Sequence, residues 1–308
     1  MISNADLSQI NQILLTGATG FIGRHLLPAL LDAGHRVRAT SRRPAHQLDL
    51  TPHDNLECVQ LDLLDGTSLD GTFDGIDTAF YLIHSMGGGV GREKEFVERD
   101  KRAARNFARR AAAAGVSQIV YLSGLKPPGR ASAHLESRRE VERILLEGEV
   151  PLTVIRAGFI IGDGSAGCIM LDALTRTMDT LMVVPEFHNH TQPVYVDDVV
   201  AALMCCLSHR DQTLGQTFEV GSREQVTYLE LIQMYARFAG RRLELIEVPW
   251  MPRSLGAVWL SAISDLPYGL IQALSEGLVT DLPVEDERIY QICDLPRTSP
   301  EEAMRLAV

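Results

Sequence analysis

Three glycines spaced three residues apart, in Thr16-Gly17-Ala18-Thr19-Gly20-Phe21-Ile22-Gly23, give this chain a stretch of backbone suited to holding an anion. Backbone N–H groups reach a pyrophosphate only where no side chain intervenes, and a helix N-terminus adds a favourable dipole. Gly17 permits a tight turn after a strand, Gly20 removes a Cβ from the approach path, and Gly23 lets helix and sheet pack closely. Thr19, Phe21 and Ile22 complete the expected cradle. The G-x-x-G-x-x-G spacing differs from the G-x-G-x-x-G of the commonest dinucleotide fingerprint. The meaning therefore comes from its place between a strand and a helix.

A second group of residues bears on which dinucleotide would fit. Sites for NAD usually carry a carboxylate at the end of the second strand, bound to the ribose 2′-hydroxyl. Here the sequence reads Ala39-Thr40-Ser41-Arg42-Arg43-Pro44, with two guanidinium groups and no acid. Arginine can clamp a 2′-phosphate through charge-assisted hydrogen bonds, so NADP is expected in preference to NAD. A solvated basic loop is the alternative. Asp62 and Leu63, after the third strand, are placed to border the adenine. Ile83, His84 and Ser85, after the fourth, would line the nicotinamide side.

Other reactive side chains make weaker patterns. His188-Asn189-His190 has two imidazoles but no third ligand at metal spacing, so a polar loop over the cleft is expected and no metal site. Asp197 and Asp198 fit an N-cap and first helical turn, where the dipole favours acids. Arg156 and Gln192 are candidates for the substrate rim. No G-x-S-x-G elbow is present to support a hydrolase.

The elements that must carry these residues alternate, as in a parallel sheet with crossover helices. Apolar runs predict strands at 12–16, 36–40, 57–61, 78–83, 118–122 and 152–156. Helical periodicity predicts helices after the glycine turn and at about 92–114 and 134–147. Pro28 falls inside the first helix, where it removes a hydrogen bond. Beyond Gly158 the pattern predicts helices near 166–181, 197–209, 227–239 and 250–264, with short strands around 192–196, 217–220 and 243–248. The apolar stretch Val258-Trp259-Leu260-Ser261-Ala262-Ile263 is expected in a lobe core or a dimer contact.

Composition narrows the function classes. A chain of 308 residues has room for a large α/β domain and a smaller lobe. Its formal charge of -11 argues against a nucleic-acid partner, which needs a basic field. The first residues lack the basic and apolar regions of a signal peptide, and no apolar run is long enough to span a bilayer. The five cysteines, Cys58, Cys168, Cys205, Cys206 and Cys293, include no C-x-x-C, so free thiols in a reducing cytoplasm are expected. The vicinal Cys205-Cys206 is expected to pack inside a helix. The partner is expected to be a small molecule, with a second copy or another protein open.

With these segments in place, the chain resembles the short-chain dehydrogenase/reductase superfamily in its extended or atypical branch. The markers are the glycine turn, Val120-Tyr121-Leu122-Ser123-Gly124, Val154-Ile155-Arg156-Ala157-Gly158 and Tyr195-Val196-Asp197-Asp198-Val199. Tyr81-Leu82-Ile83-His84-Ser85-Met86-Gly87 and Ser132-Ala133-His134-Leu135-Glu136-Ser137-Arg138 are similar to the YbjT-like and NmrA-like NAD(P)-binding proteins. The resemblance implies a Rossmann-type α/β fold, doubly wound around a mostly parallel sheet. Residues 1–160 would form the NAD(P)-binding domain, and 161–308 would supply the remaining strands and an interleaved C-terminal substrate lobe.

The superfamily's working members use a Tyr-x-x-x-Lys pair on the helix after the Ser-bearing strand. At that place this chain has His134 and Arg138, with the same offset on one helical face. The resemblance implies that His134 manages a proton, Arg138 holds the nicotinamide ribose and Ser123 orients a carbonyl. Histidine suits acid/base work near neutrality, although an adjacent guanidinium disfavours its charged form. The other reading makes both surface residues beside an inactive cleft. The leading expectation is an NADP(H)-dependent oxidoreductase acting on a small carbonyl or alcohol. The alternatives are a non-catalytic NADP(H) redox sensor, or an assembly factor with a structural nucleotide.

Overall fold

The structure is a computed structural model that describes residues 11–48, 50–65, 69–83, 93–126, 133–176, 179–249 and 277–308, with 258, 261, 271 and 275. The first half runs β1 (Gln12–Thr16), α1 (Phe21–Asp32), β2 (Arg36–Ser41), β3 (Leu56–Gln60), β4 (Thr78–Tyr81), α2 (Glu93–Ala113), β5 (Gln118–Gly124), α3 (Ala133–Leu146) and β6 (Leu152–Ala157). There follow β7 (Ile160–Ile161), α4 (Ala166–Arg176), β8 (Thr180–Val183), β9 (His190–Thr191), β10 (Val194–Tyr195), α5 (Val196–Ser208) and α6 (Arg210–Thr213). The chain ends with β11 (Thr217–Val220), β12 (Val226–Thr227), α7 (Tyr228–Phe238), β13 (Glu244–Glu247), α8 (Ile289–Ile292) and α9 (Pro300–Ala307).

Seven strands form one parallel sheet in the order β3-β2-β1-β4-β5-β6-β11. Both faces are covered, and β1 shows how. Ile13 and Leu15 enter the core beneath α1 and α5, whereas Leu14 enters the core beneath α2 and α3. A strand buried on both sides needs apolar residues at successive positions, which is what makes its sequence read as a continuous run. The strand order reverses between β1 and β4. At such a switch point the carboxyl-end turns diverge and leave a crevice for a ligand.

Pro28 stands on the exposed face of α1. The carbonyl it leaves without an intrahelical donor belongs to Arg24, also exposed, so water can take the place of the missing N–H. The helix closes at Gly34, whose φ of 83° is costly for other residues.

The expected helix over 166–181 stops at Arg176, and Thr180–Val183 forms β8 instead, paired in parallel with β13. Leu181 and Val183 are buried and Met182 is exposed, an alternation of period two that a helix cannot provide. The helix expected at 250–264 lies outside the described residues, apart from Val258 and Ser261. A third apolar cluster joins α4, α7, β8 and α9 through residues such as Leu171, Leu174, Leu181, Leu231 and Met304. Among the described residues, no helix is long and apolar enough to cross a membrane.

The cysteines depart from expectation. Cys205 on α5 and Cys293 after α8 are joined as a disulfide, with a Cα separation of 6.3 Å across 88 residues of sequence. Cys58, Cys168 and Cys206 are the free thiols. Partners so far apart in sequence leave no spacing signature. The disulfide also removes the cysteine-based reason for expecting a reducing compartment.

Candidate functional site

The glycine turn sits at the switch point. Gly17 has a φ of 71°, and a Cβ there would lie 3.0 Å from the Leu82 carbonyl oxygen. Thr16 locks the two strand ends together: its hydroxyl donates to the Phe80 carbonyl at 2.8 Å and accepts from the Leu82 amide at 3.2 Å. The sequence shows Thr16 only as the first residue of the turn; its bonding across the sheet was not legible, because Phe80 and Leu82 lie more than sixty residues away.

Gly20 is the N-cap of α1, with no side-chain hydrogen bond and no acid in the first turn. The amides of Phe21, Ile22 and Gly23 therefore lack intrahelical partners and carry the positive end of the helix dipole. Gly20 and Gly23 differ in kind. Among the described residues, a Cβ on Gly20 would meet only the Gly17 carbonyl, at 3.2 Å, whereas one on Gly23 would lie inside contact distance of Gly17 and Ala18. Gly23 is thus required for the turn itself, and Gly20 keeps its mouth clear. An uncapped helix end without acids, bordered by an open glycine, fits a pyrophosphate. Thr19 contributes its carbonyl to this turn, where it accepts from Arg24 Nε at 3.1 Å.

Register carries the neighbouring turn to the same edge. Thr40 lies opposite Thr16, and Ser41 opposite Gln60. Past β2, Ser41 Oγ accepts from the Arg43 amide at 3.1 Å, and Gln60 Nε2 donates to the Arg42 carbonyl at 3.0 Å. The loop backbone is fixed while both side chains are exposed, and among the described residues neither guanidinium has a carboxylate partner. Asp62 follows on the next turn, where its Oδ1 accepts from the Leu64 amide at 2.9 Å. Leu63 departs from expectation: its side chain is buried in the core beneath α2, and its carbonyl accepts from Asn106 Nδ2 at 2.7 Å.

A cavity of about 350 Å³ begins at the glycine turn and passes the ends of β4, β5 and β6. Ile83, Ser123 and Arg138 all line it. Arg138 projects from α3 and donates through Nη1 to the Leu122 carbonyl at 3.2 Å, beside Ser123. Its guanidinium keeps further N–H donors. His134 lies one turn earlier on α3, and its side chain is outside the described residues, as are His84 and Ser85.

Tyr81 and Tyr121 are near in sequence to this edge but face the α2–α3 core. Burial pushes the Tyr121 hydroxyl up to about 12, partly offset by the Arg138 charge and a hydrogen bond with Ser123. Burial also raises Tyr81 well above its ordinary value, reinforced by the charge of Asp100. Neither Tyr81 nor Tyr121 is among the residues that line the cavity.

The far wall is apolar and was not legible in the sequence. Leu125, Phe159, Met170, Tyr228 and Leu282 line it, drawn from five separate segments. Burial raises the Tyr228 hydroxyl to about 12, so it stays protonated.

Two expected rim residues are instead structural. Arg156 is largely withdrawn from solvent between carboxylates, 2.5 Å from Glu142 Oε1 and 3.6 Å from Glu219 Oε1, tying α3 to β6 and β11. Gln192 donates to the Ser222 carbonyl at 2.9 Å and accepts from the Val284 amide at 2.7 Å. Asp197 and Asp198 do occupy the first turn of α5, but Tyr195 is the N-cap. Asp198 holds the segment before α9, accepting from the Thr298 amide at 2.8 Å and its hydroxyl at 2.9 Å. His188 and His190 face Glu247 and Asp281 separately, at 3.4 Å and 3.5 Å.

Comparison with known proteins agrees with this geometry. A family model described as NAD(P)H-binding matches residues 17–180, more than half of the chain. A ceramide reductase of Caulobacter vibrioides is 29% identical over 241 residues, covering 77% of this chain and 73% of that protein. NADH dehydrogenase (ubiquinone) 1 alpha subcomplex subunit 9, mitochondrial, of Arabidopsis thaliana is 25% identical over 309 residues, covering 94% of this chain and 75% of that one. MoeE5, solved in complex with UDP-glucuronic acid and NAD, shares the fold with a TM-score of 0.72 at 21% identity, over 95% of this chain and 96% of that one. The chain belongs to the NAD(P)H-binding family, and its cofactor is a nicotinamide dinucleotide.

Proposed function

We propose that the chain is an NADP(H)-dependent oxidoreductase whose substrate is a carbonyl or alcohol attached to an apolar body. The observation that carries this reading is the single cavity running from the glycine turn, past Ser123 and Arg138, to an apolar wall. A pure nucleotide holder needs the first part only. The bound nicotinamide would supply or accept the hydride. The chain's own residues then have separable tasks. Arg42 and Arg43 hold the 2′-phosphate, and Arg138 holds the nicotinamide ribose through donors not used on Leu122. Ser123 orients the substrate oxygen, and His134 exchanges its proton. Leu125, Phe159 and Met170 exclude water from the substrate's apolar part. The reductase named among the relatives supports the reaction class.

The test is NADPH oxidation against quinones, aldehydes and ketones of increasing apolar length. The parent should turn over, with a rate that follows an ionisation near neutrality. His134→Ala should lose roughly 10²–10⁴ in rate while keeping its cofactor affinity. Arg138→Ala should weaken cofactor binding instead. Full activity in His134→Ala would remove the proton assignment.

One observation favours a non-catalytic reading, a redox sensor or an assembly role. Helix α3 contains no tyrosine, and neither Tyr81 nor Tyr121 lines the cavity. The relative named as a subunit of NADH dehydrogenase aligns with nearly the whole chain and supports the same reading. That reading expects tight NADPH binding with no oxidation above buffer for any compound of the series.

A further inference from the structure

Cys205, His209 and Cys293 meet at one point away from the nucleotide cavity, and no step proposed above uses them. Cys205 lies in the last turn of α5, and His209 follows that helix as its C-cap, four residues on. That offset places two donors on one helical face. Cys293 arrives from the far end of the sequence, directly after α8. One donor atom from each residue lies within 4.8 Å of the others, and His209 Nδ1 is 3.2 Å from Cys293 Sγ. Ser208 Oγ is also 3.0 Å from that nitrogen. Both cysteines are buried and the histidine is half-buried.

A disulfide has no need of an imidazole, since its sulfurs carry no proton and accept hydrogen bonds weakly. Two thiolates and an imidazole, in contrast, form a soft donor set that suits zinc, with a fourth position left to solvent. Tetrahedral coordination with Zn–S bonds of about 2.3 Å places the sulfurs roughly 3.8 Å apart. The Cα separation of 6.3 Å lies at the long end of the disulfide range, so rotation about the Cα–Cβ bonds can open the pair that far.

We propose that, once reduced, Cys205, His209 and Cys293 form a three-donor site for a thiophilic divalent cation, with disulfide and metal as mutually exclusive states of one clip. A dithiol reductant breaks the S–S bond, delivering two electrons and two protons and leaving two thiols and its own disulfide. Metal binding then displaces those two protons as the thiolates join the ion, while the neutral imidazole binds through Nδ1. In either state the clip holds the segment around α8 against α5. The Tyr290 hydroxyl, which donates to the Gly221 carbonyl at 3.0 Å, anchors the same segment to the end of β11. This inference is independent of the oxidoreductase reading, because none of the three residues borders the cavity.

The experiment uses the full chain, with cobalt(II) as a coloured probe and zinc(II) as competitor, before and after dithiol reduction and removal of the reductant. The reduced parent should bind one equivalent of cobalt with a thiolate charge-transfer band, and zinc should abolish the band. The oxidised parent should show none. Cys293→Ala should lose the band, and His209→Ala should keep it with affinity lowered at least tenfold, since even outer partners of a metal site cost about 10–100-fold. Circular dichroism identifies a variant that fails to fold. In that event the comparison of oxidised with reduced parent still decides the matter. The inference is overturned if the reduced parent shows no thiolate band, if the oxidised parent binds cobalt equally well, or if His209→Ala binds as tightly as the parent.

Discussion

At the scale of single residues, the glycine turn separates two roles that one motif makes look alike. Gly20→Val should leave a folded protein that cannot admit a pyrophosphate, since among the described residues its Cβ meets one carbonyl and nothing else within 4 Å. In a thermal-shift assay it should show no stabilisation by NADPH, whereas the parent gains stability by mass action. Gly23→Ala should behave differently. Its Cβ would intrude on the backbone of Gly17 and Ala18, so the loss should appear as a lower melting temperature even without nucleotide. If the Gly20 variant retains full stabilisation by NADPH, the turn is not the pyrophosphate site. The glycine positions were legible because backbone approach depends on local residue type. Thr16 was not, because its hydroxyl acts across the sheet on Phe80 and Leu82.

At the scale of elements, α3 is held to the sheet by a buried charge cluster. Arg156 stands between Glu142 and Glu219, with all three side chains largely withdrawn from solvent. Removing one member of such a group leaves an uncompensated charge in a poorly solvated place. Arg156→Met should therefore lower the unfolding free energy by about 3–5 kcal/mol, readable from the shift in denaturant midpoint. A loss below about 1 kcal/mol would show the cluster to be no more than an exposed ion pair in effect. The same cluster shows why Arg156 resembles a rim residue in the sequence. An arginine at a strand end looks like a ligand contact when its partners are invisible, and Glu219 lies on a strand more than sixty residues later. Gln192 misleads for the same reason, being satisfied by Ser222 and Val284. The central strands β1, β4, β5 and β6, in contrast, were legible to within a few residues, because two-sided burial writes itself into each of them as a largely apolar run. The cavity's apolar wall is a product of packing between distant segments, and no local pattern announces Tyr228 or Leu282.

At the scale of the whole molecule, the first half of the chain builds the nucleotide edge, and the later segments close it and tie themselves back to the sheet. Asp198 holds Thr298, Gln192 holds Val284, and the Cys205–Cys293 bond holds the segment after α8. That bond makes a simple count possible. Of five cysteines, three should react with a thiol reagent in unreduced, denatured protein, and all five after reduction. Five reactive thiols without reductant would show that the clip is open in solution. The proposed function rests on the edge built by the glycine turn, Arg42 and Arg43 binding NADP(H) in preference to NAD(H). Calorimetric titration of the parent with NADPH and NADH, beside Arg42→Asp, tests it most directly. One charge-assisted pair contributes about 1.5–3 kcal/mol, so NADPH should bind roughly 10–150-fold more tightly than NADH, and Arg42→Asp should erase or reverse the difference. Equal affinities of the parent for the two nucleotides would show that Arg42 and Arg43 do not hold a 2′-phosphate.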